Sequence, residues 1–405
     1  MTNAFSRRQL LLGGLVLIAV VAVLAPLASR SIARWARVPI LVFELLLGIL
    51  VGPAMLGWVQ PSEMFAVLAD FGLAMLFFMA GSEIDFAGIR GRPLRRASLG
   101  WLISLAVGLG AGLIIGRGDA AIIIAIAVSS TALGTLLPIL RDAGDVQSPF
   151  GRAVFATGAV GEFGPLIAIS IFLSARQPGL SAIVLIGFIV LTGAVVLYAM
   201  LAQHGRLHRI VRASLHTSAQ FAVRIVVLIL CALAVLSIVL DLDMLLGAFA
   251  AGVIWRLLML NAPEHDREVV ETKIEAIAFG FLVPIFFIYT GITFDLQALF
   301  ADWRILVLVP VFLALLLITR GLPALLVAPA GSSGRDRVSL SLLSATGLPI
   351  IVAATTAGIE LGYISDGMAA ALVGAGMLSV LIYPLVGMAL RGRVERDALV
   401  TARDG

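Results

Sequence analysis

The sequence predicts an all-α membrane protein of 13 transmembrane helices, most of them in two inverted five-helix repeats whose broken helices cross. Three observations carry that prediction. Apolar runs of membrane-spanning length follow one another along the chain, arginines gather in alternate connecting loops, and three motifs return in the same order, after 199, 209 and 215 residues.

The 405 residues are 61% hydrophobic and 13% charged, against about a quarter charged in soluble domains. A helix crossing the ~30 Å hydrocarbon layer needs about 20 mostly apolar residues. Runs of that kind lie at 9–28, 38–58, 65–84, 98–115, 119–140, 152–174, 181–202, 222–240, 242–260, 275–292, 303–328, 338–360 and 367–390. The polar stretches 203–221 and 261–274 read as loops, and 391–405 reads as a short cytoplasmic tail.

Lys and Arg accumulate on the cytoplasmic side of a membrane protein. With 13 spans, the N-terminus outside and the C-terminus inside, cytoplasmic segments and the helix ends beside them hold 22 of the 28 Lys and Arg residues. Arg30, Arg34 and Arg37 form one such group, Arg90, Arg92, Arg95 and Arg96 another, and Arg206, Arg209 and Arg212 a third. Arg7, Arg8, Arg117, Arg176 and Arg304 fall on the other side, and Arg320 lies within a span. This pattern predicts a multi-pass protein of a bacterial-type inner membrane, with lipid as its surroundings. Arg7 and Arg8 precede a run without a clean cleavage site, so the first helix reads as uncleaved.

The net charge of +4 follows from the loop arginines. They are spread over many loops without interleaved aromatics, which argues against nucleic acid as a partner. Cys231 is the single cysteine, so an intrachain disulfide and a cysteine-based metal site are excluded. Nothing in the pattern marks an enzyme or a resident cofactor.

Leu73-Ala74-Met75-Leu76-Phe77-Phe78-Met79-Ala80-Gly81, with Ile84-Asp85-Phe86 after it, returns as Leu282-Val283-Pro284-Ile285-Phe286-Phe287-Ile288-Tyr289-Thr290-Gly291 with Phe294-Asp295-Leu296. One span earlier, Leu46-Leu47-Gly48 and Gly52 match Leu245-Leu246-Gly247 and Gly252. Two spans later, Ser129-Ser130-Thr131-Ala132-Leu133 matches Ser344-Ala345-Thr346-Gly347-Leu348-Pro349. The copies are an odd number of spans apart, so the second crosses the membrane in the opposite sense. The repeats span 38–174 and 242–390, joined by linker helices in 175–241. Inverted repeats with discontinuous helices are the architecture of secondary transporters, with the substrate site near mid-membrane.

The discontinuities fall at Ser129-Ser130-Thr131 with Gly134, and at Thr346-Gly347 with Pro349. Hydroxyl, Gly and Pro residues loosen the helical ladder, and the freed backbone groups need partners that lipid does not supply. The hydroxyls have a plainer alternative, bonding their own helix. A charge at mid-membrane costs about 2.5–3.5 kcal/mol on insertion scales, so the few present are informative. Glu162, in Gly161-Glu162-Phe163-Gly164-Pro165, is the expected ion- and proton-binding group. Arg320 reads as a supporting charge, since a guanidinium does not readily release its proton. Glu44 and Asp70 are candidate gates.

These residues resemble the monovalent cation:proton antiporter superfamily, in the branch of NapA-like sodium/proton and Kef-like potassium/proton proteins. The resemblance is carried by Leu47-Gly48-Ile49-Leu50-Val51-Gly52-Pro53, the Phe77-Phe78 and Phe286-Phe287 segments, Ser129-Ser130-Thr131 and Leu348-Pro349-Ile350-Ile351. It implies an NhaA/NapA-like fold, a homodimer, and an ion-binding carboxylate at Glu162. Gly161 stands where relatives place a second polar or acidic residue, and Arg320 where several carry lysine. The expected function is exchange of Na⁺ or K⁺ for H⁺, electroneutral and one for one, with Ser129, Ser130 and Thr131 adding oxygens around a metal held by Glu162. An organic-anion transporter and a channel or sensor on the same fold are the alternatives.

Overall fold

The structure, a computed structural model, describes residues 2–32, 38–84, 91–116, 118–174, 177–202, 220–260 and 263–401. Arg34, Arg37, Arg90, Arg117, Arg176, Arg206, Arg209, Arg212 and Asp85 lie outside the described residues.

Among the described residues, every element of regular structure is helical. In chain order the helices are α1 (Thr2–Ile32), α2 (Ile40–Val51), α3 (Glu63–Glu83), α4 (Arg92–Ile115), α5 (Ala120–Val128), α6 (Leu133–Asp142), α7 (Pro149–Phe172), α8 (Pro178–Ala202) and α9 (Phe221–Val239). There follow α10 (Met244–Met259), α11 (Glu264–Ile277), α12 (Val283–Ile292), α13 (Leu296–Phe300), α14 (Trp303–Leu316), α15 (Gly334–Ser344), α16 (Pro349–Glu360) and α17 (Asp366–Thr401). Among the described residues, ten helical stretches are long and apolar enough to cross a membrane, and three shorter apolar helices accompany them. The chain is a multi-pass membrane protein.

Three departures from the sequence reading have local causes. The polar stretch 261–274 is helical from Glu264, not a loop: Val270 and Ile274 are buried on one face, Arg267 pairs with Glu271 one turn on and Arg256 reaches the same carboxylate. The span expected to run to 58 ends as helix at Val51, because Gly52 turns extended, at φ −75° and ψ 177°. The last helix continues through the tail to Thr401.

The chain divides into two compact units, one of residues 1–60, 85–165 and 290–405, the other of 61–84 and 166–289. In the first, α4 lies along α5: a Cβ on Gly112 would come within 2.6 Å of the Ala121 carbonyl. α17 packs against α14, α15 and α16. In the second, α3 packs against α10 and α9 against α10.

The repeated motifs make the same contact in each unit. In the first, a Cβ on Gly52 would stand 2.9 Å from Ile292 Cα, and one on Gly291 3.0 Å from Gly48 Cα. In the second, a Cβ on Gly252 would stand 2.8 Å from the Ser82 nitrogen, and one on Gly81 3.1 Å from the Val253 nitrogen. Small residues at these positions let helix backbones touch, which is how membrane helices associate without a hydrophobic drive between them.

Candidate functional site

Both interruptions lie in the first unit, and they meet. α5 stops at Val128 and α6 starts at Leu133; α15 stops at Ser344 and α16 starts at Pro349. Ala132, at φ −90° and ψ 85°, and Leu348, at φ −145° and ψ −53°, carry the non-helical turns. Pro349 explains the second turn, since proline lacks an N–H and biases the residue before it away from helix. An 18-residue stretch of each of these two broken helices is 94% and 83% buried, against 22% in α1 and 28% in α4.

At the crossing, the Ala132 N–H donates to the Thr346 carbonyl at 2.8 Å and the Thr131 hydroxyl donates to the Ser344 carbonyl at 2.6 Å. Gly347 allows this approach, because a Cβ there would stand 3.0 Å from Ser130 Oγ and 3.2 Å from its carbonyl. The Ser379 hydroxyl of α17 accepts the Gly347 N–H at 3.1 Å and lies 3.1 Å from the Gly347 carbonyl.

α7 passes beside the crossing. The Thr131 N–H donates to the Gly161 carbonyl at 2.8 Å, and Glu162 follows directly with 1% of its surface exposed. Gly158, Gly161 and Gly164, all near Glu162, leave room for side chains of neighbouring helices. A Cβ on Gly158 would meet Leu133, and one on Gly164 would meet the Trp101 ring. One on Gly161 would stand 2.6 Å from Thr131 Oγ1 and 2.8 Å from Arg320 Nε. Gly161 is thus the space into which the guanidinium fits, a link between the two sequence features noted separately above.

Arg320 is fully buried. Its Nε donates to Thr131 Oγ1 at 2.6 Å and its Nη2 donates to the Thr157 carbonyl. Through Thr131 it supports the Ser344 carbonyl at the end of α15. Helix C-termini carry partial negative charge and N-termini partial positive charge. The crossing therefore gathers the carbonyl ends of α5 and α15, the N–H ends of α6 and α16, one fixed cation and the nearby Glu162. A hard monovalent cation suits such a site through carbonyl, hydroxyl and carboxylate oxygens. Among the described residues no three His, Cys, Asp or Glu side chains gather as a metal cage.

The structure thus brings together Ser129, Ser130, Thr131, Gly134, Glu162, Arg320, Thr346, Gly347 and Pro349 in one unit. The Ser129 hydroxyl donates to the Ile126 carbonyl and that of Ser130 to Ala127, so both protons are spent on their own helix while the oxygen lone pairs remain. Glu44 is buried on α2 of the same unit. Asp70 is exposed on α3 of the other unit.

Three participants are absent from the sequence reading of the site. The Thr157 hydroxyl lies 3.2 Å from that of Ser344, and Thr319 and Ser379 serve carbonyls of the two breaks. Thr157 lies on the helix of Glu162 and Thr319 beside Arg320, which is a usable signal; Ser379 has none.

A family model described as "Sodium/hydrogen exchanger, transmembrane" matches residues 19–389. Among curated relatives, the chain is 26% identical to "Putative Na(+)/H(+) antiporter YjbQ" of Bacillus subtilis, over 94% of this chain and 63% of that protein. It is 25% identical to "Na(+)/H(+)-K(+) antiporter GerN" of Bacillus cereus, over 85% of this chain and 88% of that protein. The fold is similar to that of the sodium proton antiporter MjNhaP1 from Methanocaldococcus jannaschii, with a TM-score of 0.66 at 15% identity, covering 94% of this chain and 98% of that one.

Proposed function

The chain belongs to the sodium/hydrogen exchanger family, and from that premise we propose that it exchanges a monovalent cation, Na⁺ or K⁺, for H⁺ by competition at Glu162. The observation that carries this reading is one buried carboxyl beside two broken helices that cross. In one state Glu162 holds a proton. When the cation enters, the O–H bond breaks, the proton leaves to water, and the carboxylate, with Ser129, Ser130 and Thr131 oxygens, holds the metal. Each event swaps one positive charge for another, so exchange is electroneutral and one for one. The curated relatives are named as Na⁺/H⁺ or Na⁺/H⁺-K⁺ antiporters, which supports the class and leaves the ion open between the two.

The finer architecture belongs to the same reading. The ten long and three shorter apolar helices are 13 spans in two inverted repeats, 38–174 and 242–390, with 175–241 as linker. The matching glycine contacts of the two units support this. The N-terminus lies outside and the C-terminus, with the tail 391–405, in the cytoplasm of a bacterial-type inner membrane. The working form is a homodimer.

The test is proteoliposomes loaded with a pH-sensitive dye. Addition of Na⁺ or K⁺ collapses an imposed proton gradient, and Glu162→Gln lowers that rate by at least about a hundredfold. Full exchange by Glu162→Gln excludes the mechanism, and a rate that follows membrane potential excludes electroneutrality. A second reading, an organic-anion carrier, draws on one observation: Arg320 Nη1 has no hydrogen-bond partner. Proton movement driven by carboxylate anions and not by cations selects it.

A further inference from the structure

The segment that carries Arg320 is not an ordinary helix. After α14, residues Leu317–Gly321 form a π-helical turn, followed by helix at Leu322–Ala324. Such turns occur often at functional sites. Thr319, Arg320 and Gly321 are all buried, while Ile318 and Leu322 on either side are 51% and 55% exposed. The wider turn aims two successive polar side chains inward. Arg320 serves Thr131 at the first break. The Thr319 hydroxyl has a separate target, the Val128 carbonyl that ends α5, at 2.8 Å, and its own-helix Leu315 carbonyl at 2.7 Å.

At the end of α5 the Ala125 and Ala127 carbonyls accept the Ser129 and Ser130 N–H groups, while the break deprives the Ile126 and Val128 carbonyls of their usual backbone donors. Ile126 and Ala127 receive hydroxyls from Ser129 and Ser130; the Val128 carbonyl, closest to the break, receives its hydroxyl from Thr319. A hydroxyl has one proton, so Thr319 serves either Val128 or Leu315 at a given moment.

We propose that Thr319 is a positioning residue for exchange: its hydroxyl orients the Val128 carbonyl at the carbonyl end of α5, and turning to Leu315 frees that oxygen toward the crossing. The inference rests on the cation-exchange reading above, and it assigns to Thr319 control of cation affinity rather than of proton binding.

Thr319→Val keeps the shape and removes the hydroxyl; Thr319→Ser restores it. Thr355 bonds only carbonyls of its own helix, so Thr355→Val is the control for a plain loss of a buried hydroxyl. In proteoliposomes Thr319→Val changes the KM for the cation about tenfold with maximal rate within twofold, while Thr319→Ser and Thr355→Val match the parent protein. By hydrogen-deuterium exchange, amides of 129–132 exchange faster in Thr319→Val than in Thr355→Val. An unchanged KM in Thr319→Val, a fall in maximal rate alone, or a KM change shared by Thr355→Val overturns the proposal while leaving the exchange reading intact. Parent vesicles without cation-driven proton movement overturn the exchange reading, and the proposal with it.

Discussion

The two breaks solve one problem in opposite ways. At the first, the loose carbonyls are met largely from within: Ser129, Ser130 and Thr135 donate to carbonyls three residues back. At the second, the Thr346 hydroxyl donates to the Leu342 carbonyl four residues back, at 3.2 Å, the Ala345 and Thr346 N–H groups bond carbonyls of α15, and three groups take distant partners. The Ser344 carbonyl takes Thr131, the Thr346 carbonyl takes the Ala132 N–H, and Gly347 takes Ser379. The first break thus takes more of its side-chain donors from its own sequence, with Arg320 and Thr319 as distant partners, while the second relies more on the first and on α17.

The largest effect on this comparison comes from the side chain both breaks share. Arg320→Gln leaves the Thr131 hydroxyl and the Thr157 carbonyl with a shorter, neutral partner in a buried site. It costs about 2–5 kcal/mol, read as a lower unfolding temperature of the detergent-solubilised protein. A variant melting with the parent means that neither break depends on the guanidinium.

The outer ends of the breaks test the same dependence away from the crossing. Arg391 donates to both oxygens of Asp145, after α6, and to Asp336, in the first turn of α15, at 2.6 Å; it also stacks on Phe150. Burial alone would raise the Asp145 carboxyl, but hydrogen bonds from Arg391 and Ser148 and the guanidinium charge outweigh it and hold the group below its ordinary value. A depressed carboxylate contributes stability above its ordinary range and loses it as pH falls through the folded value. Asp145→Asn therefore lowers stability by about 1.5–3 kcal/mol at neutral pH, and melts at successively lower pH show the gap closing below about pH 4. A gap that persists or widens in acid excludes the clamp as its cause.

Gly161→Ala pushes a methyl group into Arg320 and Thr131 and costs about 1–3 kcal/mol. If Arg320→Gln in the same chain makes the alanine better tolerated, the two positions share one space; strict additivity denies it. The smallest pair compares the breaks directly. Ser379→Ala removes the acceptor of the buried Gly347 N–H and costs about 1–3 kcal/mol, whereas Ser130→Ala removes a bond made within its own helix and costs about 1 kcal/mol or less. Equal losses, or the reverse order, would show that the second break is as self-sufficient as the first.

Much of the fold was legible because its causes are local. Apolar run length predicted most helices within a few residues, and failed at 264–274, where burial of Val270 and Ile274 on one face of a polar helix decides the outcome. At the site, Ser129, Ser130, Thr131, Glu162 and Arg320 stood out as hydroxyls or charges at membrane depth. Ser379 did not, since a serine in an apolar helix ordinarily bonds its own backbone, as this one also does through Gly376. Gly161 stood out as a missing polar group; that it also makes room for Arg320 shows only in the folded chain.

By itself, then, the sequence determined where most helices form, where two of them break, and that a carboxyl and a guanidinium lie within long apolar segments. Each of these follows from side-chain polarity and backbone preference over a few neighbouring residues. Only the tertiary structure decided which partners the broken ends take, because an orphan carbonyl accepts any donor that packing brings within about 3 Å. Thr131 and Ser344 are 213 residues apart, and no local rule joins them.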